Sequence, residues 1–394
     1  MDIRQRARLH AEAVARHLTT PHPVAAPGQS LGGGAAGIAL LHIERATAGI
    51  AEWRAAHNWL AAATRDDVTV GAGACLFHGA PALAFALHPA RQPGYRPAQQ
   101  ALDEGVAAVT RNRLDAASQR LRRGDRPALA EFDLISGLTG LGAHLRRHDP
   151  DGDLLKQVLA YLVRLTEPVG ALPGWWSMSS PGRTTQTPPG GHGNNGMAHG
   201  ISGPLALLSL TAQRGLVVPG QMDAIGRICD WLDFWQQSHH GHPWWPETVT
   251  LAEVQWGRTA QPGPLRPSWC YGTPGIARAQ QLAALATGDP ARLRTAESAM
   301  TGCLNDPHQL QRIIDRSLCH GSAGLVMTVT AFAADALAPH DLPLSRVAES
   351  LLDAPAVPGA PPGFLTGHAG YGLALHALAC DAPTSAWDAC LLLR

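Results

Sequence analysis

Apolar residues along this chain gather in runs of two to three helical turns, and each run is opened by the same short signal, Gly-x-x-Gly. Copies begin at Gly34 (GAAGIALL), Gly137 (GLTGLGAHL), Gly200 (GISGPLALL), Gly272 (GTPGIARA), Gly321 (GSAGLVMTV) and Gly367 (GHAGYGLAL). A seventh begins at Gly79 (GAPALAFAL), with Ala82 in place of the second glycine. Successive copies start 45, 58, 63, 72, 49 and 46 residues apart, room enough for two helices and their connections. The run GLVMTVTAFAA (324–334) is apolar on every side, the mark of a buried helix. Between copies the pattern is amphipathic, as in QMDAIGRICDWLDFW (221–235), the mark of a half-exposed helix.

Each unit therefore pairs one buried with one surface helix, and glycines at the start of each buried helix allow crowded ends to approach. An open solenoid would need a polar cap at its last unit. Here that unit stays apolar to its end (GYGLALHALAC), which favours a ring closed on itself. The expectation is an all-α fold, an α,α-toroid (barrel) of seven helical hairpins forming a single domain over 1–394. It overrides the length prior of about 150 residues per domain.

Two Gly/Pro-rich stretches, 167–196 and 241–268, interrupt the repeats, the first with 12 Gly or Pro in 30 residues. Loops of this length inside a compact fold are usually functional or disordered, and both precede a buried-helix signal. Eight of the eleven tryptophans fall between 175 and 269. They are expected to pin these loops, a peptide-holding rim being the alternative.

Charged residues make up 16%, against roughly 25% in typical domains, so the chain can bury a large core. Lys+Arg and Asp+Glu balance at 31 each, which offers no electrostatic footprint for nucleic acid or an anionic membrane. No apolar run reaches the roughly 18 residues of a transmembrane helix, and the N-terminus carries no signal-peptide pattern. A soluble, cytoplasmic protein is expected. Seven cysteines without a secretory signal argue for buried, reactive or metal-bound thiols rather than disulfides.

Three repeats place chemistry just ahead of their leading glycine: Cys270 in RPSWCYG, Cys319 and His320 in LCHG, His199 in GMAHG. If equivalent ends of adjacent hairpins meet, two thiolates and an imidazole converge as a borderline-soft site for Zn²⁺ with its fourth position open, the pattern of a catalytic zinc. Ordinary buried residues are the alternative, since free Cys is among the most buried types.

Together, RPSWCYG, CHG, GMAHG and the sevenfold Gly-x-x-Gly pattern resemble the lanthionine synthetase C family over essentially the whole chain, at the length of its stand-alone cyclases. The resemblance implies a toroid of seven hairpins with one Zn²⁺ held by Cys270, Cys319 and His320. It implies closure of (methyl)lanthionine thioether rings, by addition of peptide cysteine thiols to dehydroalanine or dehydrobutyrine of a dehydrated precursor peptide. It gives His199 proton transfer and Asp133, in DLISGLTG, the tuning of His199 or help in deprotonating the thiol. Arg266 and Tyr271 are candidates to stabilise the enolate, with a structural salt bridge and packing as their alternatives. A dehydratase and a membrane exporter are the implied partners, with peripheral membrane association through them. Addition of glutathione or another free thiol, and a non-catalytic peptide-binding toroid, are competing functions. A thiol-alkylating enzyme such as a prenyltransferase is more distant.

Among the other histidines, His78 and His368 sit beside repeat glycines, and His192, His239, His240 and His242 are expected in solvated loops. Cys75, Cys229, Cys303, Cys380 and Cys390 are expected to be packing residues.

Overall fold

The computed structural model describes residues 1–180, 186–354, 358–380 and 383–394. All seven repeat signals open helices: Ala35–Thr47, Ala80–Leu87, Leu138–His148, Ser202–Gln213, Thr273–Thr287, Ser322–Ala334 and His368–Cys380. Every residue of Ala80–Leu87 is buried, as are 35–46 and 273–284 of their helices. The intervening helices are one-sided. In Asp153–Leu165 the buried residues include Leu155, Val158, Leu159, Leu162 and Leu165, an i, i+3, i+4 stripe. Among the described residues no helix is long and apolar enough to cross a membrane.

The second glycine of the signal has a specific cause. A Cβ built at Gly37, Gly275, Gly324 or Gly370 runs into the backbone carbonyl six residues earlier, that of Leu31, Trp269, Leu318 or Phe364. The chain loops tightly across its own helix start, and only hydrogen fits. The degenerate repeat escapes this by another route. Its leading Gly79 takes φ +76°, and Thr69 contributes the carbonyl that accepts from the Ala80 amide, so Ala82 is tolerated. Gly275→Ala should therefore cost about 1–3 kcal/mol by overpacking. Gly226→Ala, in an outer helix where a Cβ meets nothing within 4 Å, should stabilise by about 0.5–1 kcal/mol. Urea midpoints at unchanged slope decide both.

By internal contacts the chain divides into two compact units. The first holds Met1–Val109, Ile313–Thr330 and Pro343–Cys390. In it the last repeat helix, His368–Cys380, packs on the first, Ala35–Thr47, and also on the N-terminal helix Ile3–His17. The apolar final repeat is thus covered by the start of the chain. Backbone bonds join the turns ahead of these helices: Cys319 N donates to Leu365 O, Leu365 N to Gly32 O, and Leu31 N to Phe77 O.

The second unit holds Thr110–Arg312, Ala331–Leu342 and Leu391–Arg394. Its repeat helices Leu138–His148, Ser202–Gln213 and Thr273–Thr287 pack in sequence order. The same backbone linkage recurs, Leu134 N to Ala198 O and Ala198 N to Cys270 O. Leu391, Leu392 and Leu393 are fully buried, and carbonyls of this segment accept from Trp269 Nε1, Arg278 Nε and Arg146 Nη2.

The Gly/Pro-rich stretches carry regular structure of their own. His192–Asn194 pairs antiparallel with Thr248–Thr250, Gln237–His239 pairs with His242–Trp244, and a capping box starts the helix Leu251–Trp256. Residues 181–185 of the first stretch lie outside the described residues. Six of the eight clustered tryptophans are buried, and indoles tie the loops to backbone carbonyls, Trp176 to Gly190 and Trp245 to Leu232 of the helix Gln221–Trp235. They pin the loops; Trp256 alone is strongly exposed, at 61%.

Candidate active site

In the second unit, Asp133 ends the short helix Leu129–Phe132 and turns its side chain back on the chain. One carboxylate oxygen accepts from the amides of Ser136 (2.6 Å) and Gly137 (2.9 Å), which fixes the group. The other lies 2.6 Å from Nδ1 of His199. Asp133 is buried, whereas the His199 side chain is 31% exposed. Nδ1 is thereby engaged with the carboxylate. Burial works against the imidazolium, but the hydrogen bond and charge of Asp133, with a smaller contribution from Cys270, outweigh it and raise the His199 pKa above its ordinary value.

Next to this pair, the Tyr271 ring lies 6.2 Å from that of His199, and its hydroxyl accepts from Asn194 Nδ2 at 3.2 Å. Asn194 is held in turn by the Gly196 amide on its Oδ1. Ser268 organises the RPSWCYG turn: its hydroxyl accepts from the Tyr271 and Gly272 amides and sits 3.5 Å from Cys270 Sγ. Arg266 opens that turn, and its Nε has no hydrogen-bond partner among the described residues. Neither is it ion-paired there, so the salt-bridge alternative has no partner.

In the first unit, the turn ahead of Gly321 carries Cys319 and His320 together with a carboxylate the repeat pattern did not reveal. Asp315 accepts from the Ser317 amide at 2.8 Å and lies 3.2 Å from His320 Nε2. Burial opposes its charge, yet the bonds from His320 and Ser317 hold its carboxyl well below the usual carboxylate range. The Asp315 carboxylate also stands where a Cβ on Gly321 would be, which ties the leading glycine of this repeat to the site.

Several expectations require correction. His192 is completely buried in a strand rather than solvated, and burial pushes its pKa down to about 4, so it is neutral at pH 7. His239 and His242 lie in a paired hairpin and line a cavity of about 390 Å³ with His308 and Asp306; only His240 matches the solvated reading. Cys380 is exposed, its sulfur 3.9 Å from His376 Nδ1, whereas Cys75, Cys229, Cys303 and Cys390 are buried as packing residues. His78 is held by paired backbone bonds with Cys75, and the His368 ring packs edge-on to His17.

Comparison with known proteins bears on the fold and the family. A solved structure titled nisin cyclase superposes with a TM-score of 0.77, covering 99% of this chain and 97% of its own at 19% identity. That match shows the fold, the helical toroid expected from the repeats. The nisin biosynthesis protein NisC of Lactococcus lactis subsp. lactis is 23% identical over 209 residues, 51% of this chain; the chain spans about half of that relative's length, 49%. The family model for lanthionine synthetase C-like proteins matches residues 27–392, reaching from before the first glycine signal past the last. With its signals, its fold and that match in register, the chain belongs to the lanthionine synthetase C-like family.

Proposed function

We propose that this protein is a zinc-dependent lanthipeptide cyclase, closing thioether rings by adding a cysteine thiol to a dehydroalanine or dehydrobutyrine of the same precursor peptide. The observation that supports the reading is the donor set the repeat motifs supply, Cys270 in RPSWCYG and Cys319 with His320 in LCHG, each in the turn ahead of a repeat helix. Two thiols and one imidazole fit Zn²⁺ and leave a tetrahedral position open. When bound there, zinc supplies Lewis-acid activation of the substrate thiol, lowering its pKa toward neutrality. With Asp315 on Nε2, His320 would act as ligand through Nδ1, the carboxylate fixing ring orientation and tautomer.

The remaining work falls to side chains. As sulfur bonds to the β-carbon, the Cα–Cβ double bond opens to an enolate, and a proton must reach the α-carbon. His199 delivers it from Nε2, with Asp133 holding Nδ1–H and stabilising the imidazolium. Neutral His199 then accepts the proton of the next thiol. Tyr271, held by Asn194, and Arg266, whose Nε has no hydrogen-bond partner among the described residues, would stabilise the enolate oxygen. A dehydratase would supply such a substrate, and an exporter would remove the product.

Ring closure leaves mass unchanged but consumes a thiol. Incubating the zinc-loaded protein with a dehydrated cysteine-containing precursor, then alkylating, should show one fewer alkylation per ring; a full set of free thiols would sink the reading. The raised His199 pKa adds a sign. Protonation is favoured at lower pH, so the alkaline limb of the rate reports His199. Asp133→Asn removes the raising charge and should move that limb to lower pH while slowing the reaction.

Asp315→Asn tests the ligand's orientation. The amide presents N–H to His320 Nε2 and favours the tautomer with its proton on Nδ1, so zinc affinity should weaken by about 10–100-fold in chelator competition. Unchanged affinity would remove Asp315 from the site.

A further inference from the structure

Beside the turn that carries Cys319 and His320 lies a cavity of about 200 Å³ that the proposed chemistry does not use. Asp315, Arg316, Ser317, Thr366, His368 and Tyr371 line it. Tyr371 is 3% exposed, yet its hydroxyl has no hydrogen-bond partner among the described residues. A buried hydroxyl left in that state costs free energy unless something fills it. Arg316 stacks over the same ring, its guanidinium carbon 4.8 Å from the centroid, and one terminal nitrogen donates to the Ala354 carbonyl. Its Nε has no partner, and no carboxylate pairs with it among the described residues. The one acid lining the cavity, Asp315, is already engaged by Ser317 and His320. The helix His368–Cys380 starts here as well, adding the positive end of its dipole; its first amides are taken by loop carbonyls, such as Pro361 O.

A half-buried cation with no carboxylate partner among the described residues, an unused hydroxyl donor and a helix start, all on one small cavity, suit one planar anion. We infer that this cavity is a subsite for a carboxylate of the peptide substrate, bound by Arg316 and Tyr371. The inference rests on the reading of Cys319 and His320 as the place where the substrate cysteine is held. Asp315 is a wall of the cavity and touches His320, so the two places are separated by little more than one side chain. At about 3.4 Å per extended residue, a carboxylate one to three positions from the cysteine reaches it. The subsite would favour rings whose cysteine has an acidic neighbour, or a cysteine close to the peptide's C-terminus.

The test is calorimetric binding of short probes to the zinc-loaded full chain: acetyl-Cys-Gly-Asp-amide, acetyl-Cys-Gly-Asn-amide and acetyl-Cys-Gly-Gly with a free carboxyl end. The Asp peptide should bind about 10-fold tighter than the Asn peptide, as a charged hydrogen-bonded pair implies. A gain for the third probe identifies a terminal carboxylate as an accepted source, and a gain for the first alone identifies a side chain. Arg316→Gln should abolish the preference, and Tyr371→Phe, which keeps the ring, should reduce it. Equal binding of all three probes, no binding of any probe, or a preference that survives Arg316→Gln overturns the subsite. Zinc content and the thiol-consumption assay judge the cyclase reading separately, since neither depends on this preference.

Discussion

Cys319→Ala is expected to strip the protein of its metal. Purified without chelator, the parent chain should carry about one zinc, as three protein ligands and an open position imply, and the variant only a small fraction of that. Ring closure should fall by more than the roughly 10–100-fold that changes outside the ligand shell cost. Another buried thiol makes the control. Cys303 is equally a cysteine and is 2% exposed, but burial pushes its pKa far up and it belongs to no metal-holding group among the described residues; Cys303→Ala should keep its zinc. A Cys319→Ala protein that still holds stoichiometric zinc would dismantle the proposed donor set. A parent chain that is folded, metal-free and unable to take zinc up would dismantle the mechanism.

His199→Ala should separate proton transfer from binding. Zinc content is expected to stay as in the parent, because His199 belongs to the Asp133 pair and not to the ligand set. Ring closure should drop by about 10²–10⁴, the usual contribution of a positioned acid or base. Since the side chain is 31% exposed, the truncation leaves little cavity, and the fold should persist. Activity within a few-fold of the parent would assign the α-carbon proton to another group, such as Tyr271 or water. The matching removal of Asp133 is less clean, because its carboxylate also caps the Ser136 and Gly137 amides. Asn is therefore the substitution to make there.

The repeat pattern was readable because each copy solves the same packing problem. A carbonyl crosses the helix start, glycine is required, and the buried helix that follows has to be apolar throughout. Once the copies are aligned, Cys270, Cys319 and His199 fall in the last two positions before the leading glycine, so unusual residues there stand out against Leu, Phe or Ala. Asp315 did not stand out. It acts from six residues before its glycine, through a turn whose shape depends on the Ser317 amide, and no periodicity records that. Asn194 and Ser268 escaped for the same reason, since each works through a local bond to backbone and one side chain. His192 was misjudged because a three-residue strand with a partner 56 residues away leaves almost no trace in a Gly/Pro-rich stretch. The exposure of Cys380 follows from its place at the far end of its helix, where the apolar run stops without a marker in the sequence.

The backbone bonds between successive turns carry a wider consequence. Cys319 is tied to Leu365 and Leu365 to Gly32, as Leu134 is tied to Ala198 and Ala198 to Cys270. At each of these stations the main chain makes the same connection whether the side chain is a thiol, a branched alkyl group, a methyl or a hydrogen. The scaffold is therefore blind to what stands there, and reactivity is written on it like letters on a ruled line. A descendant of such a chain can exchange one letter and acquire a different chemistry, or lose its chemistry altogether, without its architecture registering the change.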